Sequence, residues 1–191
     1  MSRPFLPRPD IPDSLVAAER GYALRPWHRS DAPLVREAFA AEDMAGMGTW
    51  PMRTDAEAEQ WIADWTHRQV QGIGYALAVQ SPLGRVVGNV AVSDVDRANG
   101  TGWVTYWTTP SARGRGVATI GLRALAVWAY TALDLFRLEL GHQVSNTAAC
   151  SVAKRAGFQV EGLQRAKLRF EGVRYDVELH ARLATDPVPE L

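Results

Sequence analysis

The sequence predicts a single α/β domain of the α+β kind: a mixed, mostly antiparallel sheet flanked by helices, with one strand–helix–strand crossover. Three observations predict it. Residues 73–80, "IGYALAVQ", and 86–95, "VVGNVAVSDV", flank the turn "SPLGR" and read as an antiparallel hairpin. Residues 102–109, "GWVTYWTT", run through a glycine-rich turn into a helical stretch from Val117 to Ala132, and then into the strand-like "FRLELGHQV". The closing stretch, residues 158–183, reads as two strands around a turn at Glu171-Gly172.

The remaining elements fall into place around these. Residues 1–20, with their prolines, read as an extended arm before a domain at 21–184 and a tail at 185–191. "GYALRPW" (21–27) is a first strand, and "SDAP" (30–33) supplies capping side chains and an early proline for a helix through Phe39. "EDMAGMGTWPM" is broken by glycines and a proline and reads as a loop. Thr54, with Glu57 three residues later, makes a capping box for a second helix whose buried face includes Trp61 and Trp65. "NTAACSVAKRAGF" is a short helix capped by Asn146 or Ser145 and stopped at Gly157.

Composition narrows the function classes. The 191 residues suit one domain with a real core, and the formal net charge of zero provides no overall attraction to nucleic acid or an anionic membrane. No run approaches the roughly 18 consecutive apolar residues of a membrane span, and no secretory signal opens the chain. The single cysteine, Cys150, rules out an internal disulfide and fits a reducing cytoplasm. His28, His67, His142 and His180 show no metal-ligand spacing, so no metal is expected.

The most informative stretch is "TTPSARGRGVATIGL", residues 108–122. A turn that hands a strand over to a helix N-terminus presents backbone N–H groups that the helix cannot satisfy, beside the positive end of its dipole. Gly114 and Gly116 let an anion approach the backbone, and Arg113 and Arg115 add charge-assisted donors. This chemistry suits a pyrophosphate. A P-loop is excluded because no lysine follows the glycines, and the dinucleotide fingerprint G-x-G-x-x-G has Thr119 at its third glycine.

Arg113-x-x-Gly116-x-Ala118 matches Q/R-x-x-G-x-G/A, "GWVTYWTTP" is similar to a strand written G-Y-W-x-x-P, and Asn146, Ala149, Gly157 and Phe158 fit N-x-x-A/S-x(7)-G-F. With these three motifs in order, residues 21–184 resemble the GNAT superfamily of N-acetyltransferases, most closely its ribosomal-protein alanine N-acetyltransferase branch. The resemblance implies acetyl transfer from acetyl-coenzyme A to a primary amine, either a protein N-terminus or a small molecule, in the cytoplasm. Charge, hydropathy and histidine spacing add the expectation of no metal, no nucleic acid and no membrane, with a homodimer through the sheet edge or the N-terminal arm as a possible assembly. The alternative is a non-catalytic acyl-coenzyme A sensor or assembly protein.

By the same resemblance, the strand at 102–109 splays from the strand that follows the helix, and its free main-chain groups around Trp107 and Thr108 hold the pantetheine and polarise the thioester. The pyrophosphate falls to Arg113, Gly114, Arg115, Gly116, Val117, Ala118 and Thr119, with Asn146 near the pantetheine arm or simply a helix cap. Proton transfer is harder to assign, because the family's hydroxyl positions on the last helix are Ala149 and Ala153 here. Candidates are Glu139, Cys150 and Ser151, with His142, Tyr175, Glu42 and Asp43 as further groups by position. Met44, Met47, Trp50 and Pro51 are expected at an apolar acceptor entrance.

Overall fold

Apolar alternation in the strands sends successive side chains to opposite faces of one sheet, and helices cover both faces. The computed structural model describes residues 16–40, 44 and 52–189. Residues 1–15, together with Glu42, Asp43, Met47, Trp50 and Pro51, lie outside the described residues. The elements are β1 (Val16–Ala17), β2 (Ala23–Pro26), α1 (Ala32–Phe39), α2 (Asp55–Gln71), β3 (Tyr75–Gln80), β4 (Val86–Asp96) and β5 (Thr101–Thr108). They continue with α3 (Val117–Ala132), β6 (Arg137–Gln143), α4 (Thr147–Arg155), β7 (Gln159–Phe170) and β8 (Val173–Leu183).

Among the described residues, eight strands form one sheet in the order β1-β2-β3-β4-β5-β6-β8-β7. Every neighbouring pair is antiparallel except β5 and β6, which α3 joins as the expected crossover. The sheet starts earlier than expected: Val16 and Ala17 pair with Leu24 and Ala23, so the end of the expected arm is a short edge strand. Glu19 adds a 3.1 Å ion pair with Arg123 on α3.

Each face has its own core. Leu24, Leu77, Val79, Val90, Leu138, Leu140 and Phe158 pack with Leu122, Leu125 and Trp128 of α3. Trp27, Ala76, Ala78, Ala91 and Trp107 pack with Val35 and Phe39 of α1 and Ile62 of α2. Gly121 makes the first contact close, because a Cβ there would stand 3.0 Å from both Val79 and Val90. The Thr54 box forms as expected: its Oγ1 accepts from Glu57 N–H at 3.2 Å, and the Glu57 carboxylate accepts from Thr54 N–H at 2.8 Å. Ala58 and Ile62 are the fully buried residues of α2, while Trp61 and Trp65 are half-buried and pack edge-on to one another.

Candidate active site

The crossover creates a fork. β5 pairs with β4 along its length, but pairs with β6 only through Thr101↔Arg137, Gly102↔Leu138 and Trp103↔Glu139. Beyond that rung the two strands separate, so the β6-facing backbone groups of residues 104–108 have no strand partner among the described residues. An unpaired strand edge is a row of donors and acceptors ready for an extended ligand.

The glycine turn follows the open arm directly. Gly114 (φ +71°) and Gly116 (φ +79°) both occupy the left-handed region, where a side chain is strained, and an added Cβ at either would meet no atom within 4 Å. Gly116 is the N-cap of α3, and no side chain caps this helix. Arg113, Gly114, Arg115 and Gly116 are exposed, Val117 is buried, and Ala118 and Thr119 are half-buried. The strand arm, the turn and the helix start therefore form one continuous surface of backbone donors flanked by two guanidinium groups.

Trp107, on the last stretch of the arm, turns its side chain to the α1–α2 face. There it packs against Trp27 and Phe39 at centroid distances of 5.7 and 5.6 Å. Trp27 Nε1–H donates to Asn89 Oδ1 at 2.9 Å, whereas the buried Trp107 Nε1 has no hydrogen-bond partner among the described residues. Tyr106 turns to the other face, and its hydroxyl donates to the Ala149 carbonyl at 3.2 Å, so β5 reaches across the fork to α4. Burial and the neighbouring Cys150 push the Tyr106 phenol up to about 12, which keeps it neutral.

The expected proton-transfer residues occupy different settings. Glu139 sits at the fork's last paired rung and accepts from Arg137 Nε at 2.6 Å; Arg137 also pairs with Glu161. Ser151 is half-buried on α4. Asn146 is the N-cap of α4, its Oδ1 accepting from Ala149 N–H at 2.9 Å. Tyr175 lies opposite Leu168 in the β7–β8 hairpin, beyond the last β6–β8 pair, Gln143↔Val177.

Cys150 and His142 belong to a group that chain spacing does not reveal. Cys150 Sγ lies 3.3 Å from Glu178 Oε1, His180 Nε2 is 2.9 Å from that oxygen, and the Nε2 atoms of His142 and His180 are 3.0 Å apart. The four ligand atoms all lie within 4.8 Å of one another, a set of types able to hold a transition metal. The Cys150 thiol, and then His180, hold the Glu178 carboxyl below the usual range, against partial burial. Glu178 and His180 were not among the expected site residues. Their two-residue spacing puts them on one face of β8, but only the β6–β8 register, His142↔Glu178, carries that face to His142. A surface depression of about 500 Å³ beside Trp27, Arg29, Glu59 and Ile62 involves neither β5, β6 nor α3 and is separate from the fork.

A mixed sheet that forks beside a glycine-rich helix start defines an α/β protein built to hold an extended ligand with an anionic end. The family is shown by comparison: the model described as "Acetyltransferase (GNAT) domain" matches residues 22–159, and the chain belongs to this acetyltransferase family. YdaF of Bacillus subtilis is 27% identical over 145 residues, spanning 72% of this chain and 78% of its own. The ribosomal-protein-serine acetyltransferase of Escherichia coli is 26% identical over 141 residues, spanning 70% and 75%. The solved structure of RimL, a ribosomal L7/L12 α-N-protein acetyltransferase in complex with coenzyme A, superposes with a TM-score of 0.81. It is 20% identical, over 89% of this chain and 98% of that one, and shares the fold. No helix among the described residues is long and apolar enough to cross a membrane.

Proposed function

We propose that the protein transfers an acetyl group from acetyl-coenzyme A directly to a primary amine, in the reducing cytoplasm. The observation that carries this reading is the fork: residues 104–108 lose their β6 partners immediately before the left-handed glycines at the start of α3. Pantetheine resembles a peptide in its two amides, and it pairs with the open arm near Trp107 and Thr108 as an added strand would. The pyrophosphate rests on the N–H groups from Gly114 to Thr119, with Arg113 and Arg115 beside it. Asn146 serves α4 as its cap.

The thioester is already activated, so the protein's work is to align it with the amine and to stabilise the oxyanion through fixed N–H dipoles. The incoming ammonium loses a proton before attack, and the departing thiolate gains one or leaves as the anion. Glu139 is the candidate to receive the amine's proton, because it sits at the crotch of the fork on the Trp103 and Trp107 side of the sheet. The acceptor approaches from that aromatic side. The relatives named for ribosomal proteins make a protein N-terminal amine the first acceptor to assay, with small polyamines second.

Calorimetric titration with acetyl-coenzyme A, followed by thiol release against peptide N-termini and polyamines, tests the proposal. Saturable binding with amine-dependent thiol release supports it. Binding without release from any amine would favour an acyl-coenzyme A sensor, and no binding would remove the cofactor assignment.

A further inference from the structure

We propose that His142, Cys150, Glu178 and His180 form a structural zinc site that ties α4 to β6 and β8. The inference goes beyond the acetyl-transfer reading and does not depend on it.

The hydrogen positions carry the argument. His142 Nδ1 is 2.9 Å from the Gln143 carbonyl, and His180 Nδ1 faces the Phe158 carbonyl at 3.5 Å. A carbonyl only accepts, so the 2.9 Å contact places the His142 ring proton on Nδ1 and turns its Nε2 lone pair toward His180 Nε2. Those two Nε2 atoms are 3.0 Å apart, and the Glu178 oxygen lies 2.9 Å from one and 3.5 Å from the other. Two imidazole nitrogens, a carboxylate oxygen and a thiol sulfur therefore converge where both rings are buried, His180 at 1% and His142 at 8% exposure. Two protons, one on Cys150 Sγ and one on His180 Nε2, sit among these atoms, and their release on metal binding frees four ligands for one ion. One proton serves one Nε2 at a time, whereas a divalent cation serves both rings, the carboxylate and the Cys150 sulfur together.

The ligand set and its dimensions suit zinc. Zinc takes imidazole nitrogen, thiolate and carboxylate at about 2.0–2.3 Å in a tetrahedron, which sets ligand atoms roughly 3.3–3.6 Å apart. Four of the six separations are 2.9 to 3.5 Å and need only tenths of an ångström of movement, and the rest, within 4.8 Å, draw in around the ion. Backbone carbonyls on Nδ1 are the outer contacts that orient metal-binding histidines. All four heads point at one another, which leaves no group turned toward a substrate, so the site is closed and structural.

The consequence lies in α4. This helix has nine residues and one fully buried residue, Ala153, too little to hold it by its own propensity. Zinc would fasten it to the sheet at Cys150, next to Ala149, whose carbonyl takes the Tyr106 hydroxyl across the fork.

The test uses the full chain without a histidine tag, expressed with zinc and desalted, with metal content measured by inductively coupled plasma spectrometry. The expected result is one zinc per chain, and a cobalt(II) form with a thiolate charge-transfer band that Cys150→Ala abolishes. His142→Gln should weaken zinc affinity by more than the roughly 10–100-fold that altering an outer contact costs. Melting curves show whether each variant folds. If a variant fails to fold, competition of a chromophoric chelator with the wild-type chain still reads the site. Wild-type protein that is folded yet carries no metal and takes up none would overturn the proposal. Zinc retained in full by both folded variants would overturn it equally. Coenzyme A titration of the same samples is scored separately, so zinc binding without cofactor binding would sink the acetyl-transfer reading alone.

Discussion

Replacing Gly116 separates cofactor binding from folding. Its φ of +79° is left-handed, and a Cβ built there meets nothing within 4 Å. In the free protein, Gly116→Val therefore costs backbone strain and no clash. A left-handed conformation costs an L-residue about 1–2 kcal/mol, somewhat more when β-branched. Against a typical stability of about 5–15 kcal/mol, the variant stays folded. The same added carbons stand where phosphate oxygens must approach the α3 N–H groups, so acetyl-coenzyme A binding should fall below detection. Arg113→Ala, which deletes one charge-assisted donor of about 1.5–3 kcal/mol, should raise Kd by about 10- to 150-fold. The assays are urea unfolding for stability and calorimetric titration for binding. Unchanged affinity in both variants, with cooperative unfolding intact, would refute the phosphate assignment and reduce the glycine turn to a helix start.

Three further perturbations test the frame around the fork. Gly102→Ala puts a Cβ 2.5 Å from Val92 Cγ2 and 3.2 Å from Leu135 Cδ1, both buried, so overpacking should cost about 1–3 kcal/mol in urea unfolding; no loss would mean that the β5–β6 rungs yield freely. Tyr106→Phe removes the hydrogen bond to Ala149 and should cost about 0.5–1.5 kcal/mol, and because the phenol is pushed up to about 12, the pH profile of thiol release below pH 10 should keep its shape. Burial raises the Asp31 carboxyl, but hydrogen bonds from Arg25 and the His28 N–H outweigh it and hold the group below its ordinary value. A depressed folded pKa adds stability that is complete above the unfolded value near 4 and lost as pH falls through the folded one. Asp31→Asn should therefore be less stable than wild type at pH 7 and converge with it toward pH 2, as read by thermal melts.

The parts of the fold that were readable in sequence are those governed by local chemistry. Thr54 and Glu57 announce a helix start because the capping box needs only three residues of spacing, and Gly114 and Gly116 announce a left-handed turn because other side chains resist it. The β1 strand was not readable: two residues beside prolines carry no alternation, and Val16 and Ala17 become a strand only because β2 offers an edge. The fork itself was expected through family resemblance and not through local pattern. A strand's residues do not encode where its neighbour departs, and "GWVTYWTT" alternates as an ordinary strand would.

The His142–Cys150–Glu178–His180 group shows the same limit in its sharpest form. Spacing along a chain reveals metal or proton chemistry when the ligands share one helix or one loop. Here His142 comes from β6, Cys150 from α4, and Glu178 and His180 from β8. Two facts bring them together: the antiparallel register that sets His142 opposite Glu178, and the return of the chain through α4 over that rung. Each residue alone has an ordinary explanation, as a buried ring, a small apolar thiol or a partly exposed strand carboxylate. Only their joint geometry, with the His142 Nε2 lone pair facing His180 Nε2 and Glu178 reached by both His180 and the thiol, marks them as ligands for one ion. That convergence is a product of the β6–β8 register and the path of α4, which is why it appears in the three-dimensional structure and not in the order of the letters.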